Sequence, residues 1–192
     1  MALTTAHQEG ADVFDFDPYQ QLATLRSFER LELTSSDFDD GAPLPPTAWG
    51  AGTIPEGADL SPQLSWSEVP QGTRSLALSV FDPDAPTGSG FWHWAVFDLP
   101  ADLRSLPAGA GSGDATALPG GSVTLPNEMR LSRYIGAAPP AGTGTHRYFF
   151  VLDALDVTHL EIAESATPAI LGFNRHFHSL ARGVLMGTAT PA

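Results

Sequence analysis

Lysine and cysteine are both absent from this chain of 192 residues. Without a lysine amine, neither a P-loop phosphate ligand nor a Schiff-base nucleophile can be written. Without a thiol there is no disulfide framework, zinc–thiolate site or cysteine nucleophile, and such a chain is compatible with either redox compartment. Positive charge is scarce as well: nine arginines face 22 acidic residues, for a formal charge of −13. An acidic chain with no basic run is repelled by nucleic acid and by anionic membrane surfaces, so neither is expected as a partner. A local anion pocket stays open to it, because at physiological salt screening confines exposed charges to a range of about 8 Å. The first 25 residues hold no Lys or Arg and no apolar core of a leader, and no later run is long enough to span a bilayer. A cytoplasmic protein without integral membrane association is the expectation. Repeats, heptads and low-complexity tracts are also lacking.

What is present describes one domain over residues 1–192: 42% hydrophobic residues, with turns announced by 19 glycines and 17 prolines. A chain of this length buries roughly 70% of its unfolded surface. Residues 17–26 read as a short helix serving as an N-terminal flap, with Asp17 as N-cap, Pro18 at the first helical position and a Tyr19/Leu22/Leu25 stripe. From Leu31 to Leu160 short alternating runs are divided by Pro, Gly, Asp and Ser, the pattern of an antiparallel β protein. Three strands are clear, over 74–81, 91–98 and 146–153. The stretch 100–126 reads as a loop with a strand around Val123. Phe173, Phe177, Leu180 and Val184 then recur at helical spacing, predicting a C-terminal helix over 168–186 with Gly187 as its stop and a frayed tail.

Side chains alternate along a strand, so His93 shares a face with Phe91, Ala95 and Phe97, and His146 and Tyr148 share one with Phe150 and Leu152, while Arg147 points away. Each histidine is a polar exception on an apolar face. Pro83 and Pro86 stop the first clear strand just as Asp82 and Asp84 appear, which places Asp82 at a strand end. A lone histidine of this kind is ordinarily a satisfied core residue. Two of them, with an aspartate able to hold an imidazole N–H and favour its protonated form, suggest a shared polar pocket. The Gly- and Pro-rich stretch 136–145 either brings backbone amides to a ligand or is a plain hairpin loop. Trp92 and Trp94 are expected on the sheet face opposite His93. His176 and His178, two apart on a helix, make a poor metal pair, and Asp37, Asp39 and Asp40 read as a solvated acidic turn.

Three motifs in order, Asp82-Pro83-Asp84-Ala85-Pro86, Phe91-Trp92-His93-Trp94 and Gly136 to Pro140 followed by Gly142-Thr143-Gly144-Thr145-His146-Arg147-Tyr148, resemble the phosphatidylethanolamine-binding protein family, also called Raf-kinase-inhibitor-like proteins, in its short bacterial branch. Ser61 to Trp66 and Leu171 to Asn174 add to the likeness, which covers about 60–185. The resemblance implies a mainly β protein, a β-sandwich with a large central antiparallel sheet and peripheral helices. It implies an anion pocket on Asp82, His93, His146 and Tyr148, with Pro86, Phe91, Gly136, Pro140 and Gly144 as walls and rim. Its ligands would be phosphate or a phosphorylated headgroup. Ala138 and Phe91 stand where eukaryotic members commonly have Gly and Trp, and only four residues separate Pro86 from Phe91, so the rim is altered.

The leading expectation is a non-enzymatic binder of a small anion or phospholipid headgroup, with no catalytic residue, metal or cofactor and with a regulatory role through a protein partner of unspecified identity. By analogy with bacterial relatives the resemblance suggests a homodimer. The alternatives are an inhibitor of a protease or kinase acting through its surface, and an enzyme. The enzyme would be either metal-dependent, through Asp82, Asp84, His93 and His146, or a hydrolase with Ser79 or Ser89 as nucleophile, although no G-x-S-x-G occurs.

Overall fold

The computed structural model describes residues 16–113 and 118–191. A six-stranded sheet and a three-stranded sheet pack face to face, with two helices on the outer face of the larger one. In chain order the elements are α1 (Pro18–Leu25), β1 (Glu29–Arg30), β2 (Leu33–Thr34), β3 (Leu64–Trp66), β4 (Ser75–Asp82), β5 (Phe91–Pro100), β6 (Ser105–Leu106), β7 (Val123–Thr124), β8 (His146–Leu155), α2 (Pro168–His178) and β9 (Ser179–Ala189). The large sheet has the order β1-β9-β8-β4-β5-β7, antiparallel except for the β1–β9 pair, and the small one runs β2-β3-β6. The three clear strands of the sequence are thus its adjacent centre. No helix among the described residues is long and apolar enough to cross a membrane.

Alternation assigns the two faces. Leu76, Leu78, Val80, Tyr148, Phe150 and Leu152 pack inward against Leu33, Leu64, Trp66 and Leu106 of the small sheet. The outward set, including Ala77, Phe97, Phe149 and Val151, is covered by Leu171 of α2 and Tyr19 of α1. Asp17 caps α1 as expected, accepting from the amides of Tyr19 and Gln20. Arg26 fastens its end by donating to the carbonyls of His176 and Ser179. The expected stripe is only partly used: Tyr19 is buried, whereas Leu25 is exposed.

Two expectations are corrected. The C-terminal helix ends at His178, and residues 179–189, including Leu180, Val184 and Gly187, form β9, antiparallel to β8 over its whole length. A spacing of four puts Leu180 and Val184 on one face of a helix and equally on one face of a strand, so it does not separate the two. The strand's inward face is Ala181, Gly183, Leu185, Gly187 and Ala189, mostly small residues that carry little apolar signal, while a register shift at its start turns Ser179 to the outer face, where it bonds Asp153. They are small because β9 is overlain. A Cβ at Gly183 would meet Leu31 O at 2.8 Å, and one at Gly187 would meet the Leu44 side chain at 2.4 Å. The tail is therefore paired through Ala189 and not frayed, with residue 192 outside the described part.

The second correction concerns β5. Val80 pairs with Trp94 but Phe81 pairs with Trp92, which leaves His93 as an extra residue in a β-bulge. Beyond the bulge the alternation is reversed. Trp94 and Val96 join the inner core, while Ala95 and Phe97 turn to the outer face, away from His93. Trp92 alone is opposite, against Phe81 with ring centroids 4.3 Å apart. The strand expected around Val123 is β7, and the rest of the 100–126 stretch is turns apart from β6 and the end of β5, with residues 114–117 outside the described part.

Candidate functional site

Pro83 ends β4 and turns the chain so that the Asp82 carboxylate folds back on its own backbone. Its Oδ1 accepts from the amides of Asp84 (2.8 Å) and Ala85 (3.0 Å). Its Oδ2 lies 2.7 Å from His146 Nδ1, the first residue of β8. A carboxylate has no proton to give, so Nδ1–H is the donor. The other ring nitrogen, Nε2, lies 2.8 Å from Thr143 Oγ1. That hydroxyl is also 2.7 Å from Pro140 O. With one proton and two acceptors in reach, both of its contacts are hydrogen bonds only when Nε2 carries a proton of its own.

The bulge aims His93 at the same place. Its Nδ1 bonds Ile135 O at 2.9 Å, and its ring stands edge-on to Tyr148 at 5.1 Å and tilted against Phe91 at 5.0 Å. Because a carbonyl only accepts, Nδ1 carries the proton there, and Nε2 has no partner among the described residues. Burial pulls the His93 pKa below the ordinary histidine value, opposed by the Ile135 bond and by Asp82. The neutral ring therefore presents a lone pair at Nε2. Tyr148 is pushed far above the ordinary tyrosine value by burial and then by Asp82, weakly opposed by the Ala138 backbone, so it keeps its proton, and its buried hydroxyl makes no hydrogen bond of good geometry. Asp82, His93, His146 and Tyr148 are 3%, 4%, 0% and 1% exposed, which makes this a closed polar cluster at the end of the sheet.

The residues expected as walls and rim divide. Phe91 touches the cluster directly, and Pro140 reaches it through Thr143. Gly136 is buried and follows Ile135 in the segment that holds His93. A Cβ at Gly136 would lie 2.2 Å from the Trp49 carbonyl carbon, and its amide donates to Asp59 Oδ1 at 2.7 Å, so the glycine serves a close backbone approach. Gly144 turns the loop at φ +78° before β8 with open space around it. Pro86 is exposed in the turn after β4, and no hydrogen bond ties it to the cluster. Ala138 is exposed too.

Asp84 is drawn away from this site. Arg147, on the outer face of β8, holds it through Nε (2.8 Å) and Nη2 (2.7 Å), and the Arg147 amide donates to it at 2.9 Å. That bidentate pair occupies the carboxylate a metal reading would have used. No group of three or more His, Asp or Glu side chains among the described residues is arranged to hold a metal ion. Ser79, on the outer face, bonds Arg175 and is remote from both site histidines in the alternation of β4. Sequence reasoning missed Thr143 and the Ile135 carbonyl. The first had a signal, a hydroxyl three residues before a strand-opening histidine; a backbone acceptor has none.

The family model described as phosphatidylethanolamine-binding protein matches residues 34–190. UPF0098 protein YbhB of Escherichia coli K12 is 48% identical over 151 residues, 79% of this chain and 94% of its own. The crystal structure of E. coli YbcL, described as a member of the mammalian PEBP family, superposes with a TM-score of 0.79 at 36% identity, covering 84% of this chain and 98% of that one. A PEBP homolog from Chlamydia trachomatis, CT736, gives 0.70 at 32% identity over 85% of this chain and 99% of its own.

Proposed function

The chain belongs to the phosphatidylethanolamine-binding protein family, in the branch that holds E. coli YbhB and YbcL, and from that premise we propose that Asp82, His93, His146 and Tyr148 bind a small phosphate-like anion, free or as a phospholipid headgroup. The observation that carries the reading is the unpartnered pair beside the Asp82–His146 bond: a buried Tyr148 hydroxyl and the open Nε2 of His93. A buried polar group without a partner costs about 1–3 kcal/mol, so an incoming group that satisfies the Tyr148 hydroxyl is favoured.

The chemistry follows from which atoms are free. Tyr148, held protonated, donates to an anion oxygen. His93 Nε2 accepts a proton from the anion itself or from solvent and becomes a second donor, its charge sustained by the anion and by Asp82. Asp82 does not face the anion, because two amides and His146 take its oxygens. His146 acts through Thr143, fixing the loop 136–145 over the cluster. The site binds without catalysing: Thr143 Oγ1, the hydroxyl against His146, is also engaged with Pro140 O. An anion that displaces this loop gives a protein partner a surface that depends on the ligand, which is the regulatory role the reading includes.

Calorimetric titration with inorganic phosphate and phosphorylethanolamine at pH 6 tests this, on wild type and on the His93→Ala/His146→Ala double variant. Binding by wild type and loss in the double variant is the expected result. Equal binding by both, or none by wild type, would move the function to the protein's surface.

A further inference from the structure

The outer face of the large sheet holds a second concentration of charge that the anion site does not use. Asp153 of β8 is fully buried and accepts from Arg182 Nε at 2.8 Å, while Arg175 Nε stands 3.3 Å from its other oxygen. Two guanidinium ions share one carboxylate, so the cluster keeps an uncompensated positive charge out of contact with water. Arg182 Nη1, Arg175 Nε and His176 Nδ1 are buried without a hydrogen bond. Arg175 is 2% exposed, and the Arg182 side chain 7%.

These same three residues line a groove of about 470 Å³ between α1 and α2, together with Leu22, Leu25, Phe81, Trp92, Phe173 and Phe177. Apart from them its lining is apolar. Leu25, Phe173 and Phe177 are 76%, 65% and 58% exposed, an unusual amount of aliphatic and aromatic surface to leave in water at one place. The volume lies within the range of small-ligand sites, about 300–1,000 Å³.

We propose that this groove binds an amphiphilic carboxylate of the medium-chain fatty-acid type, its tail among the aromatic and aliphatic walls and its carboxylate drawn to Arg175 and Arg182. The apolar lining selects the tail, and the surplus positive charge selects an acid over an alcohol or a cation. Arginine suits the task because its planar fork matches a carboxylate. The groove is on the sheet face opposite the Asp82–His146 site, so the two readings stand or fall separately.

The test is calorimetric titration of the full chain with decanoate, 1-decanol and decyltrimethylammonium below their aggregation thresholds, with phosphate as a control for the other site. Gly172→Leu is the blocking variant: Gly172 lines the groove, a Cβ there meets nothing within 4 Å, and leucine is the better helix former. Arg182→Gln is the charge variant. Saturable decanoate binding is expected, with decanol at least about tenfold weaker, as loss of a charge-assisted contact implies. Gly172→Leu should abolish binding while phosphate binding is unchanged, and Arg182→Gln should reduce decanoate to the affinity of decanol. Should Arg182→Gln fail to fold, the acid-to-alcohol ratio in wild type and Gly172→Leu decide the matter. Decanol binding as tightly as decanoate, or Gly172→Leu binding like wild type, would overturn the proposal. So would sedimentation showing a wild-type dimer that Gly172→Leu dissociates and that excludes decanoate, because the occupant would then be a second copy.

Discussion

Truncating Asp82 to alanine removes three hydrogen bonds at once. The amides of Asp84 and Ala85 lose their acceptor, and buried His146 loses the partner of Nδ1–H, 2.7 Å away. All three bonds run to a charged carboxylate and are worth about 1.5–3 kcal/mol each, which gives a loss of about 4.5 kcal/mol or more for Asp82→Ala. Burial leaves little room for water to repair the damage, since His146 is 0% exposed. Asp82→Asn separates the contributions. Its amide oxygen can still accept from the two backbone amides, while its NH₂ faces Nδ1 and takes the proton off that nitrogen, leaving the tautomer protonated at Nε2 alone, which keeps its donation to Thr143. That variant should lose about 1–2 kcal/mol, the difference between a charged and a neutral acceptor. Urea denaturation of the three proteins measures both losses, and ¹⁵N chemical shifts of the histidine rings identify the tautomer. A loss under about 1 kcal/mol in Asp82→Ala, or an unchanged His146 tautomer in Asp82→Asn, would refute the assignment of this pair.

Tyr148→Phe removes a buried hydroxyl that bonds nothing, so stability should rise by about 1 kcal/mol or more while phosphate affinity falls about threefold to tenfold; a stability loss without an affinity change would show that the hydroxyl has a structural partner. Gly136→Ala drives a Cβ into the backbone of Trp49 and should cost about 3 kcal/mol by thermal or urea unfolding, whereas Gly144→Ala meets only its own left-handed conformation, about 1–2 kcal/mol; the reverse order would contradict the packing described. The His93 pKa is lowered in the fold, so between the ordinary value of 6.5 and the folded one the unfolded chain binds the extra proton. His93 therefore makes stability rise with pH through that window and fall on acidification, by no more than about 1.4 kcal/mol per pH unit. Comparing wild type with His93→Gln between pH 5 and 7 isolates this contribution, and parallel curves would disprove it.

Much of this arrangement is legible in the residues themselves. Period-two runs located the three central strands, and the Asp-Pro pair located the end of β4, so Asp82, His146 and Tyr148 fell together from pattern and resemblance. The bulge at His93 left no mark, because one unpaired residue changes the register of two strands without changing the composition of either. Its consequence was large: Trp94 moved into the inner core, and Ala95 and Phe97 left it. The C-terminal segment hides its strand because its inward face is mostly glycine and alanine, kept small by the close approach of Leu31 and Leu44, and packing of that kind is a tertiary fact. The buried arginines were equally hidden. In a chain without lysine every cation is an arginine, and nothing local separates Arg147, Arg175 and Arg182, committed to buried aspartates, from those facing water.

The central claim is that an anion completes the unpartnered Tyr148 and His93 groups, and a ¹⁵N-edited spectrum of the histidine side chains during titration tests it most directly. Sulfate is the suitable probe, because it remains a dianion from pH 5 to 8 and cannot itself supply a proton. The account predicts that sulfate shifts His93 Nε2 toward the protonated value at pH 6, raises the His93 pKa, and leaves Nδ1 on Ile135 O. Saturating sulfate that leaves His93 unprotonated, or that shifts only the exposed His159 and His178, would contradict it.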